Sequence, residues 1–460
     1  MTKTMLRSRL VLAPALLAVG AWPLAQALAQ TGPAITFKLD QTFRATDNYS
    51  FAANPPSDTT VYSRTNLSFS SVYGTPAQSL TFSGGVTIDA GYFADSDGTD
   101  TNIDSQNLGL SYFRESSSTQ LTFDASYRRV QLTQLVQGAT FDAADLLIDS
   151  GDRINYAIGM GLLTGVGGPF GISLNARASA RDFTGTSDPS LYDSDTVSMD
   201  AAARFSVTPT ADISLLAGYK EYNDEDVTDT EQIDTYAGLG VVYDISPALQ
   251  FNGDLRQKEV ETTETLGGVR STRKRDGVSS NLGLTLQRPN GTISASYATD
   301  VTSTGRRDTV SVGRSLQLPR GALSASLGVT ESDTTSSQTV ANLTYSYQRP
   351  AATFRASVSQ SALTDNNDNE ALRTRVSVGY NYLINNTSAL DASLAVADYN
   401  VLTSGGTDTQ RADLTLSYRR NLTADWDLTT GYTYSLATKT SASDRESNTI
   451  FVGFARSFSF

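Results

Sequence analysis

The 460-residue sequence contains no cysteine and no histidine. The first absence excludes disulfides, thiolate metal sites and a lipid-anchored N-terminal cysteine. The second removes the side chain whose ordinary pKa lies nearest working pH, so a Ser-His-Asp arrangement is impossible. A carboxylate pair could still act as acid and base. The acidic residues, however, fall mostly in polar stretches that read as solvated loops, and the sequence is not expected to be an enzyme or to hold a cofactor or metal. Beyond the N-terminus no run approaches 18 consecutive apolar residues, so no transmembrane helix is expected. Basic residues are outnumbered, giving a formal net charge of −13, which argues against nucleic acid as a partner.

The N-terminus has the form of a signal peptide. Lys3, Arg7 and Arg9 precede an apolar stretch from Leu10 to Gly20, and Ala27-Leu28-Ala29 fits a small-residue cleavage pattern. The expected division is residues 1–29 as cleaved signal and 30–460 as a single domain. The apolar stretch is too short to span about 30 Å of hydrocarbon as an anchor helix.

Mean hydropathy is −0.25 and the apolar fraction 39%. Those values suit a soluble protein, and suit equally a membrane barrel in which only alternate residues face lipid. Periodicity decides between them. Ile35, Phe37, Leu39 and Phe43 share one parity, as do Leu80, Phe82, Val86, Ile88 and Tyr92. Trp426, Leu428, Tyr432, Tyr434 and Leu436 repeat the pattern near the end. Period two over many such runs means strands with one apolar face. The connections alternate in kind. Tight ones carry proline or glycine, as at Gly74-Thr75-Pro76, Thr208-Pro209-Thr210 and Arg288-Pro289-Asn290-Gly291. Long ones are acidic: 94–104, 182–195, 221–234, 364–370 and 403–410. Short turns on one rim and long loops on the other are the outer-membrane pattern, and the count reads as about 22 strands, or 18 to 20 if bent strands have been split.

Charge placement is a partly independent check. Lys38, Asp40, Arg44, Arg64, Asp89, Asp124, Arg128, Arg177, Arg204, Asp254, Arg256, Arg355, Arg373, Arg375, Asp391, Arg411, Asp413 and Arg419 all take the parity opposite the apolar residues. The exceptions are Arg314 and Arg456, with Arg129 assigned to a bulge. A charge facing lipid at mid-depth costs about 2–4 kcal/mol. A β-sandwich also alternates, but such a domain rarely runs past about 250 residues. The fold expected is all-β: a single antiparallel transmembrane β-barrel with short periplasmic turns and longer acidic extracellular loops.

Two resemblances follow. The ending Ile450, Val452, Phe454, Phe458 and Phe460 resembles the C-terminal recognition strand of bacterial outer-membrane proteins, which implies delivery to the barrel-assembly machinery. Arg456 departs from that pattern. The stretch from Leu414 to Tyr434 resembles hairpins of broad porin-like barrel families, some of them tied to exopolysaccharide or capsule systems. It implies fold and location, the latter with outer-membrane lipid and lipopolysaccharide as surroundings, but no functional residues.

Inward positions rich in Ser, Thr, Asn and Gly with mixed charge suit a water-filled lumen. The expected lining includes Arg44, Arg64, Arg128, Arg177, Arg204, Arg256, Arg355, Arg373, Arg375, Arg411 and Asp413. A barrel this wide must be narrowed or it would leak. The longest connection, 134–152, is the candidate constriction, because Leu146, Leu147 and Ile148 are unusually apolar beside Phe141, Asp142, Asp145 and Asp149. The alternative is that this loop packs on another loop or subunit. A siderophore-receptor layout is disfavoured because the first strand follows the expected cleavage site closely, leaving no plug domain. Clusters at Asp95, Asp97, Asp100 and Asp104, and at Glu221, Asp224, Glu225, Asp226 and Asp229, could bind calcium weakly or stay solvated. Residues 259–276, rich in both signs, read as an exposed loop. The function expected is a passive channel for small polar solutes. The alternatives are a translocation barrel for an acidic exopolysaccharide and a structural or adhesive barrel acting through its loops.

Overall fold

The computed structural model describes residues 32–94, 98–133, 144–365, 368–403, 406–440 and 442–460. Among them are 22 strands. The first eleven are β1 (Ala34–Thr46), β2 (Thr60–Thr75), β3 (Gln78–Phe93), β4 (Gly98–Glu115), β5 (Thr119–Gln131), β6 (Asp152–Thr164), β7 (Phe170–Thr184), β8 (Ser194–Thr208), β9 (Ala211–Asp224), β10 (Glu231–Ser246) and β11 (Leu249–Leu266). The rest are β12 (Val269–Arg288), β13 (Gly291–Val301), β14 (Arg306–Leu318), β15 (Gly321–Ser332), β16 (Gln338–Arg349), β17 (Ala352–Thr364), β18 (Glu370–Asn385), β19 (Ser388–Val401), β20 (Thr409–Asn421), β21 (Trp426–Lys439) and β22 (Arg445–Ser459). Each pairs antiparallel with its sequence neighbours, and β1 pairs with β22 from Thr36↔Ser459 to Thr46↔Thr449. The sheet therefore closes on itself, which leaves no edge in lipid and satisfies the backbone between strands. The counts of 18 and 20 are excluded.

The parity read from the sequence is the observed one. Phe37, Phe43, Leu67 and Phe82 point outward and are exposed, while Arg44, Arg64 and Asp89 face the lumen. Near the tight-turn rim outward rings meet in a row, Phe37 on Phe69 at 6.3 Å and Phe69 on Phe82 at 5.1 Å, as expected of an interfacial aromatic girdle. Arg314 and Arg456, the two parity exceptions, lie at this rim. Arg314 donates to Asn290 Oδ1 at 2.8 Å. Arg456 lies over the Trp426 and Phe458 rings and 3.7 Å from Asp425.

Two local readings are corrected. The bulge is not at Arg129. β5 is in regular register there, and Arg129 sits at the long-loop rim with its guanidinium 2.5 Å from Asp152. The bulge falls between β3 and β4, where Thr87↔Ser105 is followed by Ile88↔Ile103. Asp104 is the extra residue, and a bulge re-aims its side chain. Asp104 reaches Arg64 inside the barrel at 3.1 Å. Nor is 259–276 a loop. It is the outer half of the β11–β12 hairpin, closed by Gly267-Gly268 with φ of 58° and 83°. Both values need the left-handed region, the conformation of a type I′ turn. Lys274 pairs across the hairpin with Glu259 at 3.2 Å and Glu261 at 2.7 Å. Above the membrane a strand needs no apolar face, so this one carried no hydrophobic signal.

Candidate functional site

The buried apolar clusters do not line the barrel wall evenly. Both belong to the connection between β5 and β6 as it meets the lumen. Residues Ala144–Leu146 form one 3-10 turn. Leu146 is 1% exposed and packs on Ala371 of β18 and on Ala397 and Tyr399 of β19, with Leu363 and Val401 beside them. Leu147 packs with Leu132 and Leu191. This connection therefore leaves the wall at β5 and contacts the inner face of strands far around the ring.

Polar groups hold it there. Arg411 of β20 donates to the carbonyls of Leu132 at 3.4 Å and Thr133 at 2.5 Å. Arg445 of β22 donates to the Ile148 carbonyl at 3.1 Å. Arg153 of β6 and Asp145 form a buried ion pair at 2.6 Å, with Arg181 3.9 Å away. A buried pair needs such extra partners to offset desolvation. Asp149 accepts from the backbone of Ser187 at 2.5 Å and Asp188 at 2.7 Å, and from the Ser187 hydroxyl at 2.8 Å. Partial burial alone would push the Asp149 carboxyl up, but these hydrogen bonds hold it below the usual carboxylate range. Asp188 is lowered in the same way, against partial burial, by Ser190 and by Lys439 at 3.3 Å. Phe141 and Asp142 of the expected constriction lie outside the described residues, whereas Asp145, Leu146, Leu147, Ile148 and Asp149 are all in this docked part.

The connection between β1 and β2 also turns inward. Phe51 is buried with Arg411 over its ring at 5.7 Å. Tyr49 packs against Tyr62 and Phe93 and donates to Asp89 at 3.1 Å. Burial, then the nearby Asp89 and Asp104 charges, push the Tyr49 hydroxyl well above its ordinary pKa.

Beside these two segments lies a lumen cavity of about 970 Å³. Five of the expected lining residues converge on it: Arg44, Arg64, Arg355, Arg375 and Asp413. Arg373 follows the inward parity of β18. Arg177 and Asp124 face each other at 3.6 Å, both more than half exposed, with Arg128 two inward positions further along β5. Arg256 lines a second cavity of about 390 Å³, paired with Asp254 at 2.8 Å. Two assignments change. Arg411 is 2% exposed and does not line open water; it anchors the docked connection. Arg204 holds the carbonyls of Gly165 and Gly168, each at 3.1 Å, and so braces a tight turn.

The acidic clusters do not gather into a cation site among the described residues. Asp104 serves Arg64, Asp224 accepts from the Thr230 amide and Asp226 from Thr228. Asp95 and Asp97 lie outside the described residues. Arg153, Arg445, Tyr49 and Phe51 escaped the sequence reading. Tyr49 and Phe51, two aromatics close together in a loop of polar and small residues, were the signal available.

No protein-family model and no curated protein sequence matches the chain. Solved structures match in fold. The Ferric-Catecholate import receptor Fiu from E. coli K12 superposes with a TM-score of 0.57 at 12% identity, over 92% of this chain and 81% of that one. The FrpB iron transporter from Neisseria meningitidis gives 0.59 at 10% identity, over 94% and 83%. The siderophore receptor PiuA from Acinetobacter baumannii gives 0.56 at 12%, over 94% and 82%. At these identities the likeness is one of fold, that of an outer-membrane barrel. These three are named as receptors and a transporter, and none of them is named as a porin.

Proposed function

We propose that this chain is an outer-membrane channel for small polar solutes, narrowed by the connection between β5 and β6. The observation that supports the reading is Leu146 buried against Tyr399 on a distant part of the wall. A 22-stranded wall encloses more space than its own inward side chains fill. A segment pinned across it reduces the free cross-section while leaving the polar cavity beside it. Hydroxyls and mixed charges on that cavity suit hydrated solutes. No enzymatic step is assigned to it.

The test is single-channel conductance of the full chain and of two variants. One deletes residues 140–149; the other, Leu146→Asp, keeps the length but sets a charge in the apolar pocket. Both are expected to conduct more than the parent. Unchanged conductance in both, from barrels that still resist unfolding in cold detergent, would sink the constriction.

A second reading, uptake of a bound ligand, is favoured by the fold shared with the iron receptors. It predicts specific binding without steady passive conductance, so the same bilayer measurement separates the two.

A further inference from the structure

The charges on the lumen wall are not evenly matched. The larger cavity is lined by Arg44, Arg64, Arg355 and Arg375, with Asp413 as the carboxylate among its lining residues. Arg64 is neutralised, bidentate to Asp89 at 2.8 and 2.7 Å with Asp104 at 3.1 Å. Asp413 accepts from the Ser435 hydroxyl at 2.5 Å. With Asp89 and Asp104 counted beside Asp413, four arginines stand against three carboxylates, a local positive excess in a protein whose formal net charge is −13.

Among the described residues Arg44 and Arg355 form no ion pair. Arg44 rests over the Phe451 ring at 5.5 Å, and its Nε is buried without a hydrogen-bond partner. Arg355 is exposed to the lumen. Hydroxyl pairs complete the wall, Ser357 with Ser377 at 2.7 Å and Thr415 with Thr433 at 3.2 Å. Each can turn a hydrogen toward an acceptor. The second cavity is the contrast. There Arg256 is matched by Asp254, and Lys258 lies between Asp234 at 3.6 Å and Asp300 at 3.1 Å.

We infer that the wall carrying Arg44, Arg355 and Arg375 is an anion site, taking small solutes that present phosphate-like or carboxylate oxygens. Guanidinium groups offer forked donors that fit such oxygens. A concave wall of one sign between low-dielectric sides concentrates the opposite ion. The inference rests on the channel reading for its transport role, but the site itself does not need an open pore.

The experiment uses the purified full chain with chloride and inorganic phosphate. In planar bilayers under a KCl gradient, the reversal potential is expected to have the sign of anion preference. Added phosphate is expected to reduce the chloride current. Arg355→Gln removes charge-assisted hydrogen bonds, so half-block should need about tenfold more phosphate or beyond. The triple variant Arg44→Gln, Arg355→Gln, Arg375→Gln is expected to lose both block and anion preference. A cation-preferring parent, or equal block in the triple variant, overturns the inference. If the parent conducts nothing, the channel reading fails and the site is judged by phosphate-induced thermal stabilisation in detergent. Stabilisation present in the parent and absent in the triple variant upholds it; no stabilisation of the parent overturns it.

Discussion

Arg411 on β20 donates a 2.5 Å hydrogen bond to the carbonyl of Thr133, 278 residues earlier in the chain. The strand residue is inward-facing by parity, and its acceptor is the second residue beyond β5. One guanidinium thus joins the wall to the connection that crosses the lumen. It is buried, and its positive charge has carbonyl dipoles and the Phe51 ring beside it.

Replacing Arg411 should therefore release the connection without opening the sheet. A charge-assisted hydrogen bond contributes about 1.5–3 kcal/mol, and Arg411→Met leaves two carbonyls without their donor. Conductance is expected to rise and to fluctuate, while the barrel's denaturant midpoint falls only modestly. Arg411→Lys should not restore the parent behaviour, because an ammonium cannot reproduce the forked geometry. Parent-like conductance in both variants would remove Arg411 from the anchor.

Leu146→Ala tests the apolar half of the same anchor. Truncating a buried leucine costs about 2–5 kcal/mol in a packed site. Here the loss falls on docking, since Leu146 contacts no strand of its own hairpin in the cluster it joins. Protease should then cut the β5–β6 connection faster in the variant, with the strands still protected. Equal cutting rates would mean that Leu146 does not hold the segment.

The wall was legible in the sequence because lipid imposes a rule on every second residue. The parity of Arg44, Arg64 and Arg375, and the closing strand at Phe460, follow from that rule. The apolar triplet 146–148 was legible for the opposite reason, as a breach of loop composition. What docks it was not. Arg153 and Arg445 lie near strand starts, where either parity reads as a rim charge, and nothing local says that Arg445 meets Ile148 across 297 positions. The β11–β12 extension was missed although Gly267-Gly268 marks a two-residue hairpin, because its mixed charges outweighed the turn signal in the reading. The bulge at Asp104 inverts parity within one strand, which no fixed period can anticipate.

Asp149 gives the docked connection a pH dependence. Partial burial would raise its carboxyl, but in the folded protein the Asp188 and Ser187 amides hold it below the usual carboxylate range. A depressed folded pKa contributes stability above the unfolded value, lost as pH falls through the folded one. Docking should thus be constant from neutral pH down to about 4 and weaken below it. Conductance recorded against pH is expected to rise only in that acid range. Asp149→Asn should conduct at neutral pH as the parent does in acid. A flat parent profile would show that this carboxylate does not govern docking.

Phe460 closes the barrel in a way that separates assembly from stability. Its amide donates to the Ile35 carbonyl at 2.9 Å, and its carbonyl accepts from the Ile35 amide at 3.1 Å. Those bonds are backbone bonds and survive any substitution that keeps the strand. The ring meets Phe37 edge-on at 6.4 Å and is 78% exposed on the lipid side. An aromatic pair adds only about 0.5–1.5 kcal/mol beyond its buried area. Phe460→Ala should therefore barely move the denaturant midpoint of the refolded barrel. If the terminal strand is the signal its sequence resembles, the same variant should fall sharply in outer-membrane yield, and Phe460→Tyr should restore it. A yield that simply tracks the small stability change would leave Phe460 as a girdle residue with no part in assembly.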